Sequence, residues 1–303
     1  MRIVYMGTPA FAVPPLEQLY ADGHEIVAVF TQPDRPRSRG MKVTYSPVKH
    51  IALEHNTSVF QPASLRDGTA KSILDKLDFD LIVVVAYGRI LPDEILSASP
   101  LGTINIHASI LPKYRGAAPI QWAVINGEVE TGVTSMYVSS ELDAGDIISI
   151  KKTPIGENET SGELMERLAN LGADLLSETV FSIANGTATR TAQNNENATF
   201  APLLSRDLSP INWNDTAFNI KCKVRGLCPW PSATTTLKGT LYKIFAVEIG
   251  KKNENLKSTG EIISAGSDGI EITCADGTVI IKDLQAPGGK RMSASEHLKG
   301  NPF

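Results

Sequence analysis

The stretches DLIVVVA at Asp80–Ala86 and GTINIH at Gly102–His107 decide the fold. The first is an unbroken run of mostly β-branched apolar residues, the pattern of a strand buried on both faces. The second alternates, with Asn105 and His107 on one face and Ile104 and Ile106 on the other. Similar runs lie on either side. RIVYM at Arg2–Met6 ends at Gly7, and Pro14 and Pro15 then open a helix running to Gly23. EIVAVF at Glu25–Phe30 is another strand. A small-residue helix is expected near Ala117–Ile125, strands at Thr131–Ser139 and Ile147–Ile150, and a long helix over Thr160–Asn185. The T-S-G-E that opens this helix offers Thr160 or Ser161 as its cap. Strands separated by helices predict an α/β domain built on a doubly wound, mostly parallel sheet. Ligands of such a sheet sit beyond the carboxyl ends of its strands.

A chain of 303 residues exceeds what one core usually holds, so two domains are expected. Residues 1–186 form the first. The polar, aperiodic GTATRTAQNNENAT at 186–199 places a linker over 187–204. Residues 205–303 turn to short alternating strands at Tyr242–Val247, Gly260–Ser264, Gly269–Thr273 and Thr278–Lys282. A hairpin turn falls at Ala275–Gly277, and the spacing suggests a small all-β barrel. No apolar run reaches the roughly 18 residues of a membrane span, and the first residues lack a signal-peptide layout. Cys222, Cys228 and Cys274 give neither a disulfide framework nor metal-ligand spacing, which fits a cytoplasmic chain.

The net charge of −4 conceals an asymmetry. Residues 1–205 carry 16 Lys and Arg against 23 Asp and Glu, whereas residues 206–303 carry 13 against 10. An acidic protein that binds a polyanion must gather its cations locally. One such place is DRPRSRGMKVTYSPVK at Asp34–Lys49, where Arg35, Arg37, Arg39, Lys42 and Lys49 face Asp34 alone. Lys221, Lys223, Arg225, Lys243, Lys290 and Arg291 form a weaker basic set, and Trp213 and Trp230 read as core or interface aromatics.

Gly7 stands in G-T-P-A-F, not in the G-x-G-x-x-G of dinucleotide-binding folds, which disfavours a nicotinamide enzyme. Asn105 and His107 emerge together at the carboxyl end of a strand. A histidine titrates near neutral pH, and an asparagine amide can donate to a developing oxyanion. The missing carboxylate is sought in ELDAGD at Glu141–Asp146, where spacing alone does not separate Asp143 from Asp146. The five histidines show no metal-binding spacing, and no serine sits in G-x-S-x-G, so neither a metal site nor a hydrolase nucleophile is expected.

Asn105-Ile106-His107-Ala108-Ser109-Ile110-Leu111-Pro112 followed by Arg115-Gly116, together with Leu142-Asp143-Ala144-Gly145-Asp146, resembles the signature of the 10-formyltetrahydrofolate-dependent formyltransferases. GTPAFA near the start, TQPDRPRSRG with SPVK, RGAAPIQ, PWPSA at 229–233 and QAPGGKRMSA at 285–294 extend the likeness over nearly the whole chain. They point to the branch whose acceptor is a charged tRNA. Ala108, Ile110 and Tyr114 depart from the commoner Gly, Leu and Trp of the family, and the chain ends soon after His297.

The resemblance implies a Rossmann-like catalytic domain followed by an OB-like barrel. It implies formyl transfer from 10-formyltetrahydrofolate, without a metal, to the α-amino group of initiator methionyl-tRNA. It makes Asn105, His107 and Asp143 the catalytic trio. It gives Ser109, Ile110, Leu111 and Pro112, with Tyr87 and Gly88, to the folate. The loop 33–46 reaches the tRNA through Arg35, Arg37, Arg39 and Lys42, and the C-terminal module turns a basic face towards the same tRNA. A monomer free of the membrane is expected. The alternative is a formyltransferase acting on another amine, a nucleotide sugar or glycinamide ribonucleotide. Hydrolysis of the formylfolate and a non-catalytic RNA-binding role are more distant.

Overall fold

The computed structural model describes residues 1–37, 42–252 and 258–302. They divide into two compact units whose boundaries interleave along the chain. The first comprises Met1–Gly116, Thr131–Thr153 and Met165–Phe200, and the second Ala117–Glu130, Pro154–Leu164 and Ala201–Phe303. The helix Pro119–Ile125 thus groups with the C-terminal residues, and most of the stretch expected to be a linker groups with the first unit.

The first unit is built on a seven-stranded sheet in the order Ile147–Pro154, Glu130–Tyr137, Thr103–His107, Leu81–Val85, Arg2–Gly7, Glu25–Phe30, Val59–Phe60. From Thr103–His107 to Val59–Phe60 every pairing is parallel, and Glu130–Tyr137 joins antiparallel. Every residue of LIVVV at 81–85 is buried, as a strand covered on both faces requires. Val4, Met6, Ile82 and Val84 share one core cluster with Phe30, Leu74 and Ile95. The chain leaves Arg2–Gly7 towards Glu25–Phe30 on one side and returns to Leu81–Val85 on the other. The strand order therefore reverses beside Gly7 and Val85, and such switch points open a crevice at the carboxyl edge.

Gly7 is needed for packing at that edge. A Cβ there would stand 2.8 Å from the Tyr5 ring and 3.1 Å from the Val85 carbonyl oxygen. The helix Ser161–Ala184 is opened by a reciprocal cap. Thr160 Oγ1 accepts from the Glu163 N–H at 3.3 Å, and Glu163 Oε2 accepts from the Thr160 N–H at 2.9 Å and hydroxyl at 2.8 Å. The backbone and hydroxyl hydrogen bonds from Thr160 hold the Glu163 carboxyl below its ordinary pKa. Further along, Gly172 lets the helix close on the site-bearing strand, since a Cβ there would stand 3.1 Å from Ile106 Cγ2.

The second unit carries an antiparallel sheet in the order Ala233–Leu237, Thr240–Lys252, Gly277–Gln285, Gly269–Cys274, Ile262–Gly266, with Arg291–Ser293 paired to Gly277–Gln285. The expectation of an all-β module is corrected by two helices, Ala217–Gly226 and Ala294–Gly300. Ala217, Ile220 and Val224 recur at helical spacing and pack into one core with Ile244, Val247 and Ile281. Thr216 caps this helix by accepting from the Asn219 N–H. Asp276, in the hairpin turn, accepts from the Ala217 N–H at 2.8 Å. Trp213 packs against the same core, whereas Trp230 is exposed.

Of the glycines within the strands of the main sheet, Gly132 is the most tightly enclosed, because a Cβ there would lie 2.1 Å from the Lys151 carbonyl oxygen. Gly132→Ala must push two paired strands apart, and overpacking of this kind costs about 1–3 kcal/mol. The melting midpoint of the full chain is expected to fall by several degrees in scanning calorimetry. An unchanged midpoint would contradict the packing described.

Candidate active site

His107 is the last residue of its strand, and the topology puts it at the carboxyl edge. Its ring is buried, with Nε2 2.9 Å from the carbonyl oxygen of Tyr114. A carbonyl only accepts, so Nε2 carries the N–H, and in neutral imidazole Nδ1 is then the bare nitrogen. Nδ1 lies 3.7 Å from Asp143 Oδ2, too far for a hydrogen bond but close for a charge pair. The structure thus separates the two acidic candidates. Asp143 points at His107, whereas Asp146 lies 4.0 Å from Arg190.

Asp143 is held from both ends. Its carboxylate accepts from the Gly116 N–H at 2.8 Å, and its backbone adopts the left-handed conformation with φ +49°. Gly145 lets the loop close against the preceding strand, since a Cβ there would fall 1.8 Å from the Tyr137 carbonyl oxygen. The segment Tyr114–Gly116 orders both partners, giving a carbonyl to His107 and an N–H to Asp143. It is itself anchored through the Tyr114 N–H to Thr199 Oγ1 at 2.9 Å and the Arg115 N–H to the Thr199 carbonyl at 2.8 Å. Asn105 is half-buried on the face of the strand that carries His107, and among the described residues its amide has no protein hydrogen-bond partner. That leaves it available to a ligand.

The expected folate residues divide. Ser109 is fully buried, with its hydroxyl donating to the Lys113 carbonyl at 2.6 Å, so it shapes the turn and presents no donor outward. Its carbonyl accepts from the Thr134 hydroxyl at 2.6 Å, and Thr134 Oγ1 in turn accepts from the Leu111 N–H at 3.2 Å. Leu111 is buried, leaving Ile110 and Pro112 half-buried at the surface of the turn. The Tyr87 side chain is also buried and its carbonyl accepts from Thr8 and Gln32, so Tyr87 braces the neighbouring strand end. Ala86, Gly88 and Ile90 are exposed beside it. Because Val84 pairs in parallel with Asn105, the 86–90 and 108–112 segments leave neighbouring strand ends.

Within the basic stretch, Arg35–Arg37 and Lys42–Thr44 pair antiparallel, with Pro36 opposite Val43, where the expectation was a loop. A proline fits because each strand of a two-stranded ribbon has a free edge for a residue without an N–H. Arg39 lies outside the described residues. Lys49 is engaged at the base, with Nζ donating to Asp34 and to Gln61 and resting 4.0 Å from the centre of the Tyr45 ring. Burial pushes the Asp34 carboxyl up, but the hydrogen bonds from Lys49 and Gln61 and the Lys49 charge outweigh it and leave the pKa lowered.

In the second unit Lys221 pairs with Glu157 at 3.1 Å, Arg225 donates to the carbonyls of Gly156 and Glu159, and Arg291 pairs with Asp283 at 2.6 Å. Lys223 donates to the Pro210 carbonyl at 2.6 Å, and burial lowers its pKa although Asp215 opposes this. Of the expected basic face, these four are tied to their own unit, and Lys243 and Lys290 stand exposed. A cleft of about 530 Å³ in the same unit is lined by Trp122, Ile125, Leu208 and Lys223, and no trio residue borders it. Among the described residues no three His, Cys, Asp or Glu side chains converge as a metal site would require, and no helix is long and apolar enough to cross a membrane.

One residue of this site escaped the sequence reading. Gln193, inside the polar run taken for a linker, donates from Nε2 to the carbonyls of Asp143 and Gly145, each at 2.8 Å. No local motif marks it, because its partners are 50 and 48 residues away.

Comparison with known proteins bears on both units. A formyl transferase family model matches residues 1–180, and a formyl transferase C-terminal domain model matches residues 204–302. A methionyl-tRNA formyltransferase from Alkaliphilus oremlandii is 48% identical over 301 residues, covering 99% of this chain and 97% of its own length. One from Clostridioides difficile is 45% identical over 304 residues with the same coverage. Among solved structures, an N-formyltransferase from Helicobacter canadensis in complex with folinic acid and dTDP-3-aminofucose superposes with a TM-score of 0.69 at 21% identity, covering 92% of this chain and 98% of that one. HypX from Aquifex aeolicus in complex with tetrahydrofolic acid superposes with a TM-score of 0.66 at 19% identity, covering 98% of this chain and 47% of that one. At such identities these structures speak for the fold alone. With both family models matched and nearly half its residues shared with full-length relatives, the chain belongs to the formyl transferase family.

Proposed function

We propose that this chain transfers a formyl group from 10-formyltetrahydrofolate to the α-amino group of initiator methionyl-tRNA, giving the N-formylated form used to start translation. The observation that carries the proposal is the convergence of His107 and Asp143 beside Asn105 at the carboxyl edge of the sheet, in a chain 41–48% identical to full-length methionyl-tRNA formyltransferases. The residues present fit a folate. The exposed Ala86, Gly88 and Ile90 and the half-buried Ile110 and Pro112 offer an apolar edge with open backbone for a flat ring, and among the described residues no protein group competes for the Asn105 amide.

The bound co-substrate supplies an electrophilic formyl carbon attached to a nitrogen leaving group. The rest falls to the chain. A free α-amine has a pKa of about 7.7–8.0, so a substantial fraction is neutral and nucleophilic at physiological pH. When its nitrogen bonds to the formyl carbon, negative charge develops on the formyl oxygen, and Asn105 donates to it. A donor of this kind is worth about 10²–10³ in rate. The new bond leaves the amine one proton too many. Because the Tyr114 carbonyl claims Nε2–H, Nδ1 is the nitrogen of His107 that accepts it, and Asp143 stabilises the imidazolium so formed. As the carbon–nitrogen bond to the folate breaks, a proton returns to the leaving nitrogen, so the chain ends the cycle unchanged. Arg35, Arg37, Arg39 and Lys42 contact phosphates near the acceptor end of the tRNA, and exposed lysines of residues 205–303 add weaker contacts. The enzyme acts as a cytoplasmic monomer.

Nucleotide-sugar formyltransferases share the fold, so acceptors must be compared directly. With 10-formyltetrahydrofolate as donor, methionyl-tRNA is expected to be formylated far faster than an amino-sugar nucleotide or glycinamide ribonucleotide. Preference for either small acceptor would overturn the proposal. Asn105→Ala and His107→Ala should each lower kcat about a hundredfold or more with small changes in KM, checked by steady-state kinetics on variants with native circular dichroism. A variant retaining near-normal kcat would be removed from the trio.

Arg39→Ala should raise KM for tRNA and reduce by about one the slope of log Kd against log salt, leaving kcat nearly unchanged. An unaltered Kd and slope would exclude Arg39 from tRNA binding.

A further inference from the structure

Gln193 and Arg115 form a second layer behind the carboxylate. Arg115 is buried, and its fork closes on a single oxygen, with Nε 3.1 Å and Nη2 2.7 Å from Gln193 Oε1. A guanidinium offers only donors, so it settles which end of the Gln193 amide is oxygen and turns the NH₂ group towards the loop. The two N–H bonds of that group bridge the carbonyls of Asp143 and Gly145. Arg115 Nη2 also donates to Asn195 Oδ1 at 2.8 Å. The segment is pinned at both ends: Thr191 exchanges backbone hydrogen bonds with Ile147 at 2.8 and 2.9 Å, and Thr199 accepts from the Tyr114 and Arg115 N–H groups. Residues 191–199 are therefore a strap across the Asp143 loop, although composition alone reads them as a tether.

The strap answers a specific need. Asp143 has φ +49°, a conformation that costs a non-glycine residue free energy and persists only where the surroundings over-determine it. Gln193 holds the carbonyl of that residue and the one two positions on, while Gly116 holds its carboxylate. Without the amide bridge the loop is free to relax towards an ordinary conformation, which rotates the carboxylate away from His107. A displacement of about 1 Å at a reacting group can cost 10²-fold in rate.

We propose that Gln193, oriented by Arg115, is a positioning residue that fixes the Asp143 carboxylate against His107. This inference rests on the assignment of Asp143 to the catalytic trio. The test is a double-mutant cycle on the full chain in the formyl-transfer assay, with Gln193→Ala, Asp143→Asn and their combination, and Gln193→Met as a variant of similar volume. Gln193→Ala and Gln193→Met should each lower kcat ten- to a hundredfold, leave KM for folate and tRNA nearly unchanged, and shift the pH profile of kcat. In the Asp143→Asn background, Gln193→Ala should add less than a threefold loss, because the group it positions is already gone. Full losses that multiply, or a lower melting midpoint with wild-type kcat and pH profile, would overturn the positioning role while leaving the trio intact. Wild-type kcat in Asp143→Asn alone would instead overturn the trio assignment beneath it.

Discussion

The hydrogen bond between His107 Nε2 and the Tyr114 carbonyl governs what this site can do. It occupies the proton-bearing nitrogen of the neutral ring and leaves the other facing a carboxylate 3.7 Å away. Two residues further on, the Gly116 N–H holds that carboxylate, so one short segment orders the imidazole and the carboxylate together. Neither contact is strong alone. A net hydrogen bond contributes about 0.5–1.5 kcal/mol, and the arrangement persists because the segment is anchored in turn by Thr199 and Arg115.

The sheet delivers these groups to one edge. Parallel pairing of Leu81–Val85 with Thr103–His107 brings the open backbone at Ala86–Gly88 beside the turn that follows His107. The strand order reverses beside Gly7, and switch points of this kind open a crevice at the carboxyl edge. Behind the strand, Gly172 admits the long helix close to Ile106, which fixes the spacing from which Asn105 and His107 project on the other face. The candidate site is thus built at strand ends, and helix packing serves to keep them still.

Much of this was legible because it was local. Arg2–Gly7, Glu25–Phe30, Leu81–Val85 and Thr103–His107 were read to within a residue or so, since strands buried on both faces write themselves as apolar runs. The Thr160 cap was legible for the same reason, its partner Glu163 being three residues away. The helix Ala217–Gly226 carried a signal that went unread, a threonine cap followed by apolar residues at 217, 220 and 224, because the strands that follow dominated the pattern. What spacing does not reveal is tertiary. The choice between Asp143 and Asp146 depends on a left-handed residue and on Gly116, and the inward turn of the Ser109 hydroxyl depends on the closure of its own loop. Gln193 lay hidden in a polar run because Arg115, 78 residues earlier, gives it its role.

The protonation geometry of His107 offers the most direct test. In full-length chain labelled with ¹⁵N-histidine, the His107 ring signals can be assigned among the five histidines by their loss in His107→Gln. The neutral ring should be the Nε2–H tautomer, with Nδ1 unprotonated, and acidification should place the added proton on Nδ1. A neutral ring protonated at Nδ1 would mean that the Tyr114 carbonyl does not hold Nε2–H, and the proton-accepting role assigned to the His107–Asp143 pair would be contradicted.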